Sequence, residues 1–158
     1  MSRDEVLTLF PGSKDDPDVQ RYLTRPPDQF GDAELIIRPP KYQPKDERVR
    51  IKQIGFSLLD GKVYEMNIGF NGPAYPHVDK FVEALSPEMN FPTLNQWEPY
   101  VGMDNQMKVL KCAEFEATVF AGGPGGNLNY VLLHDLVAEK KLSARRDKAA
   151  QASPTPEH

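Results

Sequence analysis

The stretch from Arg48 to Phe70 constrains the fold more than any other. Ile54, Phe56 and Leu58 alternate with smaller or polar residues, and Tyr64, Met66, Ile68 and Phe70 repeat that pattern beyond Asp60-Gly61. A period of two marks strands with one buried face, so the stretch reads as a β-hairpin. Two closures compete. A two-residue turn at Asp60-Gly61 sets Phe56 opposite Glu65. A three-residue loop, Leu59-Asp60-Gly61 with Gly61 left-handed, sets Phe56 opposite Tyr64 and Ile54 opposite Met66. The second keeps every large apolar side chain on one face and is the register expected. Val49 and Ile51 have the opposite parity to Ile54, which predicts a bulge near Lys52-Gln53.

The residues around this hairpin supply helices and further strands. Ser2 and Glu5 have the spacing of a capping box, Val6, Leu9 and Phe10 then form a helical stripe, and Pro11-Gly12 stops it. Asp16 and Pro17 start a second helix carrying Val19, Tyr22 and Leu23. Glu34-Leu35-Ile36-Ile37 lies between Arg25-Pro26-Pro27 and Arg38-Pro39-Pro40, and proline confines a strand to the edge of a sheet. Pro76 to Leu85 reads as a helix burying Val78, Phe81, Val82 and Leu85. Asn90 to Asp104 reads as irregular. Lys108 to Phe120 reads as one long strand with Ala113, Phe115, Ala117 and Val119 inward, and Leu128 to Leu133 as its partner. Asp135 to Gln151 has helical composition with a poor apolar stripe, which places it on the surface.

The expected class is therefore α+β. It has an antiparallel sheet of about five strands, built from two hairpins plus a short edge strand, with helices packed on one face. Residues 1–150 are expected to form a single domain and residues 151–158 a disordered tail.

Composition narrows the function classes. A net charge of −4 argues against a general nucleic-acid binder. Two local runs oppose that balance, Lys41 to Lys52 and Glu139 to Lys148, each summing to +3 and each read as solvated surface. The lone Cys112 excludes an internal disulfide and a paired-cysteine zinc site. No stretch approaches the roughly 20 apolar residues that span a bilayer, so no transmembrane segment is expected.

Candidate sites are few. Gly122-Gly123-Pro124-Gly125-Gly126 could suggest a phosphate loop, but such a loop needs a helix after it and a Gly-Lys-Ser/Thr ending. Asn127-Leu128-Asn129 and another strand follow instead, so the stretch reads as a hairpin corner. His77, His134 and His158 lack metal-ligand spacing, and a catalytic set built on His77 or His134 would have to assemble in space. The sequence assigns no catalytic residue, no metal ligand and no cofactor. Tyr75, Trp97 and Tyr100 fall in irregular segments near one helix, where they are the candidate binding residues of an aromatic groove. The alternative for Trp97 is a plug between helix and sheet.

The opening Met1-Ser2-Arg3-Asp4-Glu5-Val6-Leu7-Thr8-Leu9-Phe10-Pro11-Gly12 resembles the first helix of BamE/SmpA-type domains of bacterial envelope lipoproteins. The phrase "FSLLDGKVYEMNIGF" is similar to the sheet hairpins of that group and of β-lactamase-inhibitor-like domains. The resemblance covers about 60–70 N-terminal residues, and a stretch from Asp79-Lys80-Phe81 to "NLNYVLLHD" is similar to uncharacterised bacterial proteins. It implies a non-enzymatic interaction or structural module with another envelope protein as partner. It implies a periplasmic or secreted location if the chain is cut from a longer precursor, and a cytoplasmic one otherwise. A small-ligand domain, with the aromatic groove as its site and the glycine loop as its lid, is the second expectation.

Overall fold

The structure is a computed structural model that describes residues 1–42, 50–123, 125 and 128–152. Lys45, Arg48, Val49, Pro124, Gly126, Asn127 and residues 153–158, which figured in the expectations above, lie outside the described residues.

The chain folds as α1 (Arg3–Leu9), α2 (Pro17–Leu23), β1 (Asp32–Ile37), β2 (Ile51–Leu59), β3 (Lys62–Phe70), α3 (Val78–Met89), β4 (Glu98–Pro99), β5 (Met107–Lys111), β6 (Phe115–Gly122), β7 (Leu128–Asp135) and α4 (Leu136–Ala152). The strands form one antiparallel sheet in the order β1-β2-β3-β7-β6-β5-β4. The α+β class therefore holds, but the sheet has seven strands rather than about five. Two features account for the difference. The run read as one strand from Lys108 to Phe120 is broken by a tight turn, closed by the Cys112 N–H donating to the Phe115 carbonyl at 2.9 Å. Within the stretch read as irregular, Glu98–Pro99 adds a two-residue edge strand to β5. The turn leaves Ala113 and Phe115 exposed instead of inward, while Ala117 and Val119 are buried as expected.

The β2–β3 hairpin closes with the two-residue turn, not the three-residue loop. Asp60 and Gly61 both have positive φ, 51° and 76°, as a type I′ turn requires. Leu59 pairs with Lys62 and Leu58 with Val63, and then the register shifts by one residue so that Phe56 faces Met66 and Ile54 faces Ile68. The extra residue is Tyr64. The bulge sends Tyr64 and Glu65 together to the far face, while Val63 and Met66 pack against the core. The chain thus keeps the favoured turn and still aligns its apolar residues. A second shift between Ile51 and Gln53 is the bulge expected near Lys52.

One core lies between the sheet and the first three helices. Val78, Phe81, Val82 and Leu85 of α3 are all buried, as their spacing requires. In α1 the capping box forms, with the Ser2 N–H donating to Glu5 Oε2 at 2.5 Å and the Glu5 N–H to Ser2 Oγ at 3.3 Å. Its buried face is Val6, Leu7 and Phe10 rather than Val6, Leu9 and Phe10, because Leu9 is 56% exposed. In β7 the buried Asn129 donates from Nδ2 to the Pro73 carbonyl at 2.9 Å, which fastens the segment after β3 to the sheet.

The last helix differs from the others. Leu142 is buried, but it lies outside the main cluster. The positive run that reads as solvated surface instead ties α4 to the β2–β3 turn: Arg145 and Lys141 grip Asp60, and Arg146 reaches Asp32. The helix continues through Gln151 and Ala152, two residues into the expected tail.

Candidate functional site

The three aromatics singled out in the sequence take different roles. Trp97 is buried, packs edge-on against Phe91 at 5.6 Å and donates its indole N–H to the Pro92 carbonyl at 3.1 Å. Tyr75 lies against Phe81 at 5.0 Å in the core margin. Tyr100 is exposed and lines a cleft with Glu98, Val109 and Lys111 on the β4 side. The glycine stretch joins β6 to β7, with Gly122 paired to Leu128, so it connects two antiparallel strands.

The histidines are held by polar neighbours. His77 caps α3, its Nδ1 accepting from the Asp79 N–H at 3.1 Å. His134 sits between Glu65, 2.9 Å from Nδ1, and Glu139, 3.1 Å from Nε2. The Ser57 hydroxyl donates to Glu65 rather than to the ring. Among the described residues neither histidine has a hydroxyl or thiol in hydrogen-bonding contact to activate, and no group of three or more His, Cys, Asp or Glu is placed to hold a metal ion.

The edge of the sheet at β1 carries an unmet chemical demand. Among the described residues β1 pairs only with β2, from Asp32 opposite Leu59 to Ile37 opposite Ile54. Along an antiparallel strand, successive residues direct their backbone groups alternately to one neighbour and to the other. The phase is fixed at Asp32: its carbonyl accepts from the Asp28 N–H at 2.8 Å, and its own N–H donates to Asp28 Oδ1 at 2.9 Å. Asp32 therefore faces away from β2. So do Glu34 and Ile36, while Ala33, Leu35 and Ile37 bond to β2. The Arg38 carbonyl is taken by the Lys41 N–H at 3.0 Å. The N–H and C=O groups of Glu34 and Ile36 remain without a partner among the described residues.

Local sequence explains why this edge is so defined. Leu35 and Ile37 are fully buried and anchor the strand, so the outward residues cannot turn in without emptying the core. The Asp28 turn ends the strand on one side, and Pro39-Pro40, in a 3-10 turn, ends it on the other. A cleft of about 330 Å³ runs beside the first half of the edge, lined by Tyr22, Arg25 and Pro26 on one wall and by Asp28 and Asp32–Glu34 on the other. Asp32 is paired with Arg146, so Asp28 and Glu34 against the Arg25 guanidinium leave the cleft mildly acidic.

Beyond the other end of β1 lies a charge-balanced cluster of two cations and two carboxylates. Lys41 Nζ lies 3.0 Å from Asp16 and 2.9 Å from Asp18, and Arg38 lies 3.5 Å from Asp18. The Tyr42 hydroxyl donates to Asp16 at 2.5 Å. That bond, with the Asp18 N–H and Lys41, holds the Asp16 carboxyl down at about 2. Burial and the Asp16 charge push the Tyr42 hydroxyl up to about 12. The proline turn after β1 is thus fixed to α2 by a polar cluster.

The sequence showed the edge position of this strand through its flanking prolines. It did not show which backbone groups stay unpaired, because that depends on Asp28 folding back on Asp32. Fold and site together define an α+β domain whose short, bounded β1 edge is unpaired among the described residues and lies beside an acidic cleft. No protein-family model matches the chain, and no curated protein or solved structure matches it.

Proposed function

We propose that this chain is a non-enzymatic protein-interaction module that takes an extended segment of its partner along the β1 edge. The observation that carries this reading is the pair of residues, Glu34 and Ile36, whose backbone groups face outward unmatched. An added strand would satisfy them with main-chain hydrogen bonds, and alternate side chains of the added strand would fall into the neighbouring cleft. Asp28 and Glu34 favour a basic residue there. Placement in the bacterial envelope rests on the resemblance of the opening residues, and the order helix, helix, antiparallel sheet supports it. Fractionation of source cells with an antibody to the chain tests that part: a purely cytosolic band removes the envelope from the reading.

The edge is tested by Ile36→Pro. This removes the outward N–H and places a ring on the edge, leaving the buried Leu35 and Ile37 and the β2 ladder unchanged. Displayed random peptides panned against the wild-type chain should enrich extended sequences bearing Lys or Arg, and those clones should lose binding to the variant. Clones that bind both chains equally would show that the edge is not the contact.

A further inference from the structure

We infer that the end of the sheet formed by β3, β7 and β6 is a binding site for a small organic cation with an apolar body. The site is separate from the β1 edge and shares no residue with it.

Phe115 marks the place where the covering of the sheet stops. It has the parity of Ala117 and Val119, which are fully buried on the core face, yet it is 44% exposed. Leu133 pairs with Ala117 on one side and Met66 on the other, so both Leu133 and Met66 belong to the core face. They and Val63 are nonetheless only partly buried, whereas Ile68 and Val131 on the same two strands are buried. On the helix side, α3 ends at Met89 and Asn90 turns the chain through the left-handed region at φ 53°. Phe91 then comes to the same opening. These five side chains line a cavity of about 440 Å³, within the size range of small-molecule sites.

The rim decides the class of ligand. Glu65, Glu114, His134 and Asp135 stand around the apolar floor, and no Lys or Arg lines it among the described residues. Glu65 accepts from the Ser57 hydroxyl at 3.2 Å and lies 2.9 Å from His134 Nδ1. Asp135 Oδ1 accepts the Val137 and Ala138 N–H groups, each at 2.9 Å. His134 does not neutralise the rim, because its other ring nitrogen lies 3.1 Å from Glu139. One imidazole, in either protonation state, thus stands between two carboxylates. The cations on the adjoining β3 and α1, Lys62 and the Met1 ammonium, act on Glu5. Glu114 is left over. Its side chain makes no hydrogen bond or ion pair among the described residues, and it precedes Phe115 in the tight turn between β5 and β6. An ammonium lodged there meets the Glu114 carboxylate and the rings of Phe115 and Phe91. Its hydrocarbon covers Val63, Met66 and Leu133, which the fold leaves open to water. An anionic ligand would meet only like charge, and a neutral one would leave the rim unanswered.

An NMR titration of the full chain with n-octylammonium tests this, with octanoate and octanol as probes of the same chain length. Amide shifts at Val63, Met66, Phe91, Phe115 and Leu133 should saturate with octylammonium. The Trp97 indole N–H should move with them, since that ring packs edge-on against Phe91. Octanoate and octanol should bind at least about tenfold more weakly, the worth of one charge-assisted contact. Glu114→Gln should bring octylammonium down to the level of octanol, and Phe115→Lys should abolish its binding by placing a cation in the opening. Both positions are exposed, and a thermal melt confirms that each variant folds. Equal binding of the three octyl probes, shifts that do not saturate or lie outside the opening, or binding indifferent to both variants would each overturn the inference. A lysine blocked at both ends should bind weakly. If it bound as tightly as octylammonium, the site would belong to a lysine side chain of a partner and the small ligand would be overturned.

Discussion

Asp60 does two jobs with one side chain. Its backbone occupies the left-handed region at φ 51°, which Asp and Asn tolerate better than most residues, and this closes the β2–β3 turn. Its carboxylate receives Arg145 at 2.9 and 2.7 Å and Lys141 at 2.8 Å, and Arg145 also donates to the Phe30 carbonyl at 2.6 Å. The Arg145 guanidinium, then Lys141, holds that carboxyl well below the usual carboxylate range. Asp60→Asn keeps the turn and loses both charge pairs. Amide exchange along α4 should then accelerate while β2 and β3 stay protected. Unchanged exchange in α4 would mean that Leu142 and the Arg146–Asp32 pair hold the helix without the clamp. This clamp was not legible in the sequence, where the basic run from Glu139 to Lys148 looked like solvated surface. The partner of Arg145 is 85 residues away and is a turn residue chosen for its backbone.

At the scale of elements, legibility followed how many side chains voted for one face. α3 offers four apolar residues at helical spacing, and all four are buried as read. α1 offers two stripes, Val6 with Leu9 and Phe10 or Val6 with Leu7 and Phe10, and seven helical residues are too few to decide between them. Packing against the sheet decides. Leu7→Ala should cost about 2–5 kcal/mol in a denaturant melt, whereas Leu9→Ala should stay within about 0.5 kcal/mol. The reverse order would restore the stripe with Leu9 inward. The hairpin shows another limit. Alternation alone excluded the Asp60-Gly61 turn, because a perfect ladder would have set Phe56 against Glu65. A single bulge at Tyr64 removes that conflict, and nothing local in the sequence announces it.

For the molecule as a whole, the class and the edge strand were legible, while the joining of the two hairpins was not. β3 pairs with β7, and that pairing depends on packing between residues far apart in sequence. Acid should report on the assembled polar contacts. Asp16 titrates near 2 in the fold, below its ordinary value, so it contributes stability above the ordinary carboxylate range and loses it as pH falls through about 2. Asp60 acts in the same direction. Melting temperature should therefore hold from neutral pH to about 4 and fall between about 4 and 2. Asp16→Asn should lower the plateau and flatten the fall. A fall of unchanged depth in that variant would assign the acid sensitivity to other carboxylates.

The strand order has a consequence for the newborn chain. On the ribosome, β1, β2 and β3 emerge early and can pair at once, but the strand that completes β3 is the last to be made. Until Leu128–Asp135 has left the exit tunnel, β3 is a temporary border with Met66, Ile68 and Phe70 along it and no neighbour on one side. The N-terminal hairpin therefore stands as a half-built wall while residues 71–127 are made, a stage at which nascent chains on adjacent ribosomes are apt to stick together.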